Sequence, residues 1–254
     1  VKTDTPKSLG DPVVKSARLG QIYDAHVAPL TRYVERLRAT MGSTAAIPYF
    51  DPWDGGINAE VLFLLEAPGP KAVKAGFISR NNPDESAKNF FTLNQEAGIA
   101  RERTVSWNIV PWYIGSGIRI RPANPTDITQ GIRPLAELLS MLSALRAVVL
   151  VGQKAGMARR VIGELLPRVR VFDTPHPSPL FVNNKPENRG RLLAALKDVA
   201  EFLGGCHPAQ EDPRGPPDAS LKAQTQSLLD HDFPVILRAE TRPQKRRSRC
   251  SRGR

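Results

Sequence analysis

The sequence is poor in cysteine. Its 254 residues include only Cys206 and Cys250. Two thiols are too few for a disulfide framework, a four-thiolate zinc site or an iron–sulfur cluster. Long apolar runs are also missing. The longest, Val61–Leu65 and Ala147–Val151, are far too short to cross a bilayer as helices. No apolar stretch follows Val1-Lys2-Thr3-Asp4, so the pattern of a secretory leader is absent. The expectation is a cytoplasmic protein of a reducing compartment, with no membrane partner. No internal repeat is visible. What is present is 41% hydrophobic residues, arranged in periodic blocks. That excludes a collagen-like or wholly disordered chain. The length suits one sizeable core or at most two small ones.

The formal charge is +11, and it is unevenly spread. Residues 1–203 carry +7, residues 204–240 carry −3, and residues 241–254 carry +7 with no acid. A basic body and a basic end suit a polyanionic partner. Charge alone fits ordinary solubility equally well.

Residues 1–17 show no periodicity and are expected to be flexible. From Arg18 to Met41, apolar residues recur at helical spacing, with Pro29 placed to kink or split the helix. Four apolar runs follow: Val61–Leu65, Val105–Val110, Ala147–Val151 and Val169–Phe172. Helix-like stretches lie at about 85–97, 130–145, 153–165 and 187–203. Continuous apolar strands alternating with helices indicate a parallel sheet covered on both faces. The expected fold is a three-layer α/β sandwich with a central four-stranded parallel sheet over residues 18–203. Seven of residues 204–217 are Gly or Pro, so 204–254 is expected to be a mostly disordered tail with a basic C-terminus.

In an open parallel sheet, ligands bind beyond the carboxyl ends of the strands. The residues there are Glu66, Asn108 with Trp112, Gln153, and His176 with Ser178. A carboxylate, a carboxamide and an imidazole would converge on one crevice. Such a set can hold a planar, carbonyl-rich ligand: the amide reads hydrogen-bonding edges, the imidazole donates to a developing anion, and the carboxylate handles water or positive charge. Each residue alone has an ordinary structural role available, such as capping a helix or bracing a loop. His176 lies in Thr-Pro-His-Pro-Ser-Pro, where flanking prolines stiffen the backbone and favour a displayed ring. Trp107 is expected in the core, since it alternates with Asn108 along a strand.

Four motifs together resemble those of the uracil-DNA glycosylase superfamily. They are Leu65-Glu66-Ala67-Pro68-Gly69, Trp107-Asn108-Ile109-Val110-Pro111-Trp112, Leu150-Val151-Gly152-Gln153-Lys154-Ala155 and His176-Pro177-Ser178-Pro179-Leu180. Their order and spacing match over about residues 58–203. The resemblance implies an enzyme that flips uracil, or a related deaminated base, out of DNA and hydrolyses the base–sugar bond in base excision repair. It implies a monomer, no cofactor and no metal. Glu66 and His176 would be catalytic, with Glu66 serving water and sugar charge and His176 donating to the departing base. Asn108 would read the base, Phe77 would stack on it, and Ala67 and Gly69 would line its pocket. Leu180 would wedge into the gap left by the flipped nucleotide. Ser178, Lys71, Arg80 and Lys154 would contact DNA.

The sequence departs from the family pattern at several positions. Leu65 stands where Gly is common, and Ala67 stands where the best-studied branch has Asp, which shifts the carboxylate duty to Glu66. Gly69 replaces a bulky residue that elsewhere guards against thymine. Two other readings stay open: a DNA-binding member of the fold that is catalytically weak or inactive, and a hydrolase of free nucleotides.

Overall fold

The computed structural model describes residues 4–42 and 45–205. The expected tail, its basic end and both cysteines lie outside the described residues, apart from Gly204 and Gly205.

The chain begins with α1 (Pro12–Leu19) and α2 (Ala28–Met41), followed by β1 (Tyr49–Phe50) and β2 (Val61–Leu65). Next come α3 (Pro70–Ala75), β3 (Phe77–Ile78), α4 (Glu85–Glu96) and β4 (Thr104–Asn108). A small hairpin, β5 (Gly115–Ser116) and β6 (Arg119–Ile120), leads into α5 (Pro125–Met141). The chain then runs through β7 (Ala147–Val151), α6 (Gln153–Gly156), α7 (Arg159–Leu165), β8 (Arg170–Thr174), α8 (Pro179–Val182) and α9 (Pro186–Gly204).

The central sheet is four-stranded, parallel and ordered β4-β2-β7-β8. Side chains alternate across it, as the pleat requires. Leu62, Leu64, Val105, Trp107, Val148 and Leu150 enter one core, shared with α2, α5 and α7. Val61, Phe63, Ala147, Val149 and Val151 enter the other, under α4 and α9. This is the expected three-layer α/β sandwich. Trp107 lies in the first core, stacked on Phe50 at 4.0 Å between ring centroids and edge-on to Tyr33 at 5.9 Å. Trp112 packs against the same core, half-buried.

The amino-terminal segment corrects one expectation. Residues 4–17 are docked, not loose. Leu9 is buried and its N–H donates to the Asn81 carbonyl at 3.1 Å. Asp11 caps α1 through the Val13 N–H, with Pro12 in the first turn. The helix expected over 18–41 is two helices, and Pro29 opens the second one, where its missing N–H costs nothing. The helix expected from about 130 starts at Pro125, because Asn124 and Asp127 form a reciprocal capping box. Gly131 lets α5 approach the end of β4 closely: a Cβ there would sit 1.9 Å from the Ile109 carbonyl oxygen.

A buried ion cluster joins Arg18 and Asp4 to the loop after β1 and to Arg101. Arg18 pairs with Asp51. Arg101 reaches Asp51 at 2.6 Å, Asp54 at 2.8 Å and Asp4 at 2.9 Å. The Ser79 hydroxyl also donates to Asp51. Burial opposes ionisation of Asp51, but Arg101 and Arg18 outweigh it and hold the carboxyl below its ordinary range. The Arg18 guanidinium lies 3.4 Å over the Trp53 ring.

Candidate active site

The ends of β2, β4 and β8 open into a cavity of about 540 Å³. Glu66, Asn108 and His176, from three separated stretches of sequence, all line it.

Register places the first two side by side. Leu65 pairs with Asn108, and the ladder runs on as the Ile109 and Val110 N–H groups donate to the Leu65 and Glu66 carbonyls at 2.8 and 2.9 Å. Glu66 Oε1 accepts from the Ala123 N–H at 2.6 Å. That bond ties the carboxylate to the segment that follows the β5–β6 hairpin. Asn108 is buried, and its Nδ2 has no hydrogen-bond partner among the described residues. A buried amide donor facing a cavity without a partner is costly unless a ligand or water serves it.

The His176 ring is held in one tautomer. The Ser178 N–H donates to Nδ1 at 3.2 Å. Nδ1 is therefore the acceptor, and the neutral ring carries its proton on Nε2. Burial pushes the imidazole below its ordinary pKa, while the Glu66 and Asp84 carboxylates act the other way. The ring is thus a neutral donor at neutral pH. Its loop is pinned to α4, since Asn89 Nδ2 donates to the Pro177 carbonyl at 3.0 Å. Gly152 packs beneath it with φ of 84°, and a Cβ there would lie 3.2 Å from His176 Cβ.

The other residues expected at the site divide. Ala67, Gly69 and Lys71 line the cavity. A Cβ on Gly69 would meet nothing within 4 Å, so the wall is open at that point. Leu180 is 87% exposed beside the His176 loop. The Ser178 hydroxyl caps α8 by accepting from the Phe181 N–H at 3.3 Å. Lys154 is half-buried in α6, outside the cavity lining.

Two expectations are corrected. Phe77 is fully buried among Leu9, Ile22 and Ala75 and does not line the cavity. The docked amino-terminal segment covers it, and its strand neighbour Ile78 faces the cavity instead. The aromatic ring that lines the cavity is Phe90 on α4, held edge-on to Phe63 at 4.9 Å. Arg80 is buried, with its Nη2 donating to the Thr104 hydroxyl at 2.6 Å. It lines the cavity but, being 4% exposed, is not placed to meet a backbone phosphate. Ser106, Asn82, Asp84 and Arg121 also line the cavity and were not anticipated. For Ser106 the signal was available: it lies two residues before Asn108, hence on the same strand face.

The uracil DNA glycosylase superfamily matches residues 52–200. No curated protein matches the chain. Solved structures also show partial likeness, among them these two. One is a solution NMR structure from Methanosarcina acetivorans, of a protein provisionally described as a uracil DNA glycosylase. It is 17% identical, with 57% of this chain and 92% of that one covered and a TM-score of 0.40. The other is the crystal structure of wild-type Pedobacter heparinus SMUG2, 12% identical, with 72% and 87% covered and a TM-score of 0.45. With well over half of its residues matched, and with the strand-end motifs gathered at one cavity, this chain belongs to the uracil DNA glycosylase superfamily.

Proposed function

We propose that the chain is a monofunctional DNA glycosylase that extrudes uracil, or a related deaminated base, and hydrolyses its N-glycosidic bond. The observation that carries this is the convergence of Glu66, the unpaired Asn108 amide and the Nε2 donor of His176 on one cavity. Superfamily membership supports a DNA glycosylase; the choice of base is the further step.

The reaction separates charge. The sugar becomes cationic and the base leaves as an anion. Glu66 supplies negative charge and a water-orienting acceptor on the sugar side. A neutral His176 donates from Nε2 to the base oxygen that gains charge, without having to transfer its proton. Asn108 Nδ2 donates to a base carbonyl, which favours uracil over cytosine where it meets the C4 substituent. Lys71 at the mouth suits a backbone phosphate, and Leu180 fills the vacated stack.

The test is release of free base from single-lesion oligonucleotides in both strand contexts. Wild type should release uracil. Glu66→Gln, Asn108→Ala and His176→Ala should each fall by about 10²–10⁴-fold. Salt-dependent DNA binding without any base release would favour the binding-only reading. Activity confined to free nucleotides would favour the hydrolase reading. Deleting residues 241–254, which remove seven basic side chains, should weaken DNA binding and flatten its salt dependence with single-turnover chemistry unchanged.

A further inference from the structure

Asn108 is not alone in lacking a partner. Among the described residues the Ser106 hydroxyl, Asn82 Oδ1 and Arg80 Nε are also buried without a hydrogen bond, and all three residues line the same cavity. Asn82, Ser106 and Asn108 are each 3–4% exposed. They come from two elements: Ser106 and Asn108 from one face of β4, and Asn82 from the turn between β3 and α4. The Asn82 amide has a defined sense. Its Nδ2 donates to the Phe77 carbonyl at 2.9 Å, and a carbonyl can only accept, so the oxygen is the atom left over. The cavity wall therefore offers an amide donor, an amide acceptor and a hydroxyl able to act in either sense.

We propose that Asn82 and Ser106 contact the flipped base together with Asn108, and that the three select bases with an imide edge. This rests on the glycosylase reading. An imide edge presents carbonyl, N–H and carbonyl, that is, acceptor, donor and acceptor. Asn108 Nδ2, Asn82 Oδ1 and the Ser106 hydroxyl supply the complementary donor, acceptor and donor. Cytosine presents an amine and an unprotonated ring nitrogen instead. Against this wall it would face the Asn108 donor with its own donor, and the Asn82 acceptor with its own acceptor. A site that buries polar groups for one hydrogen-bonding pattern rejects the wrong pattern strongly, because those groups are then left unpaired. Asn82 acts as the N–H sensor, a role that a single carboxamide reading both positions would not need.

The test uses the full chain and the variants Asn82→Leu and Ser106→Val. Asn82→Leu removes the unpaired Oδ1 together with the Nδ2 bond to the Phe77 carbonyl, Ser106→Val removes the hydroxyl, and both replacements are bulkier than the side chains they replace. Each should lower kcat/KM on uracil DNA by about tenfold per folded molecule, and Asn82→Leu should also lower the melting temperature because it leaves the Phe77 carbonyl unpaired. Wild type should discriminate against an N3-methyluracil lesion, which lacks the ring N–H, and Asn82→Leu should lose that discrimination. Ser106→Thr, which keeps the hydroxyl, should retain activity. Asn82→Ala and Ser106→Ala serve where the larger replacements fail to fold. Variants within twofold of wild type, with discrimination intact, would overturn the proposal and leave the glycosylase reading standing. A wild type that releases no base would overturn that reading itself. Calorimetric titration with free uracil then decides the inference: it falls if wild type binds none, or if binding is unchanged in the variants.

Discussion

Two buried polar regions lie close together in this molecule and are built on opposite terms. The ion cluster around Asp51 and Arg101 closes on itself: Arg18, Arg80 and Arg101 face Asp4, Asp51 and Asp54, three cations and three carboxylates. A few of its atoms, such as Arg18 Nε and Asp54 Oδ2, lack hydrogen bonds, but its charges are compensated from within. Asn82, Ser106 and Asn108 at the cavity carry no charge, and each has a buried polar atom with no hydrogen-bond partner among the described residues. Buried polarity that is balanced internally holds the amino-terminal segment to the sheet domain. Buried polarity left unbalanced at a cavity marks where a ligand goes. Arg80 belongs to both regions: the cluster's carboxylates face its charge, and it also lines the cavity.

The comparison can be broken at its stronger side first. Asp51→Ala leaves Arg18 and Arg101 buried without their shared carboxylate, and should cost about 3–5 kcal/mol in denaturant unfolding. Base release should fall only in proportion to the folded fraction. Asn108→Leu should do the reverse. Base release should drop by about 10²-fold, equivalent to a few kcal/mol of lost binding to the transition state, while the melting temperature stays level or rises. If Asn108→Leu instead destabilised the fold as Asp51→Ala does, the distinction between the two regions would collapse.

A pH series sharpens the same contrast. His176 is depressed by burial, so on acidification the unfolded chain takes up its proton first. The stability it contributes is complete above the ordinary histidine value, near about 6.5. It is lost as pH falls from there through the depressed folded value. Thermal melts from pH 7.5 downwards should show this loss, and His176→Gln should reduce it. The smallest effect is expected at the rim of the ion cluster. Asp4 is partly exposed, and Asp4→Ala should cost about 0.5–1 kcal/mol, measured by urea midpoint.

The central strands, their parallel direction and the strand-end residues Glu66, Asn108 and His176 were legible in the sequence, whereas the strand order was not. Apolar runs mark strands, and ligand-binding residues follow them by topology. Phe77 was not legible, because its burial depends on Leu9 and Ile22, distant in sequence and docked only in the folded chain. Asn82 was hidden for a similar reason. The sense of its amide follows from the hydrogen bond that Nδ2 donates to the Phe77 carbonyl, and no local pattern announces that. The start of α5 was a missed local signal, since Asn124-Pro125 with Asp127 three residues on from Asn124 is a helix-start pattern.

The pairing of β4 with β2 ties folding to chemistry in one more way. Trp107 and Asn108 are neighbours that face opposite sides of one strand. A slip of one residue would exchange them, sending an indole into the cavity and a carboxamide into the aromatic stack with Phe50 and Tyr33. No partly correct arrangement keeps both positions satisfied. Catalytic competence is therefore a direct assay of strand alignment, and a preparation with mixed registers would contain fully active and wholly inactive molecules, with no intermediate class.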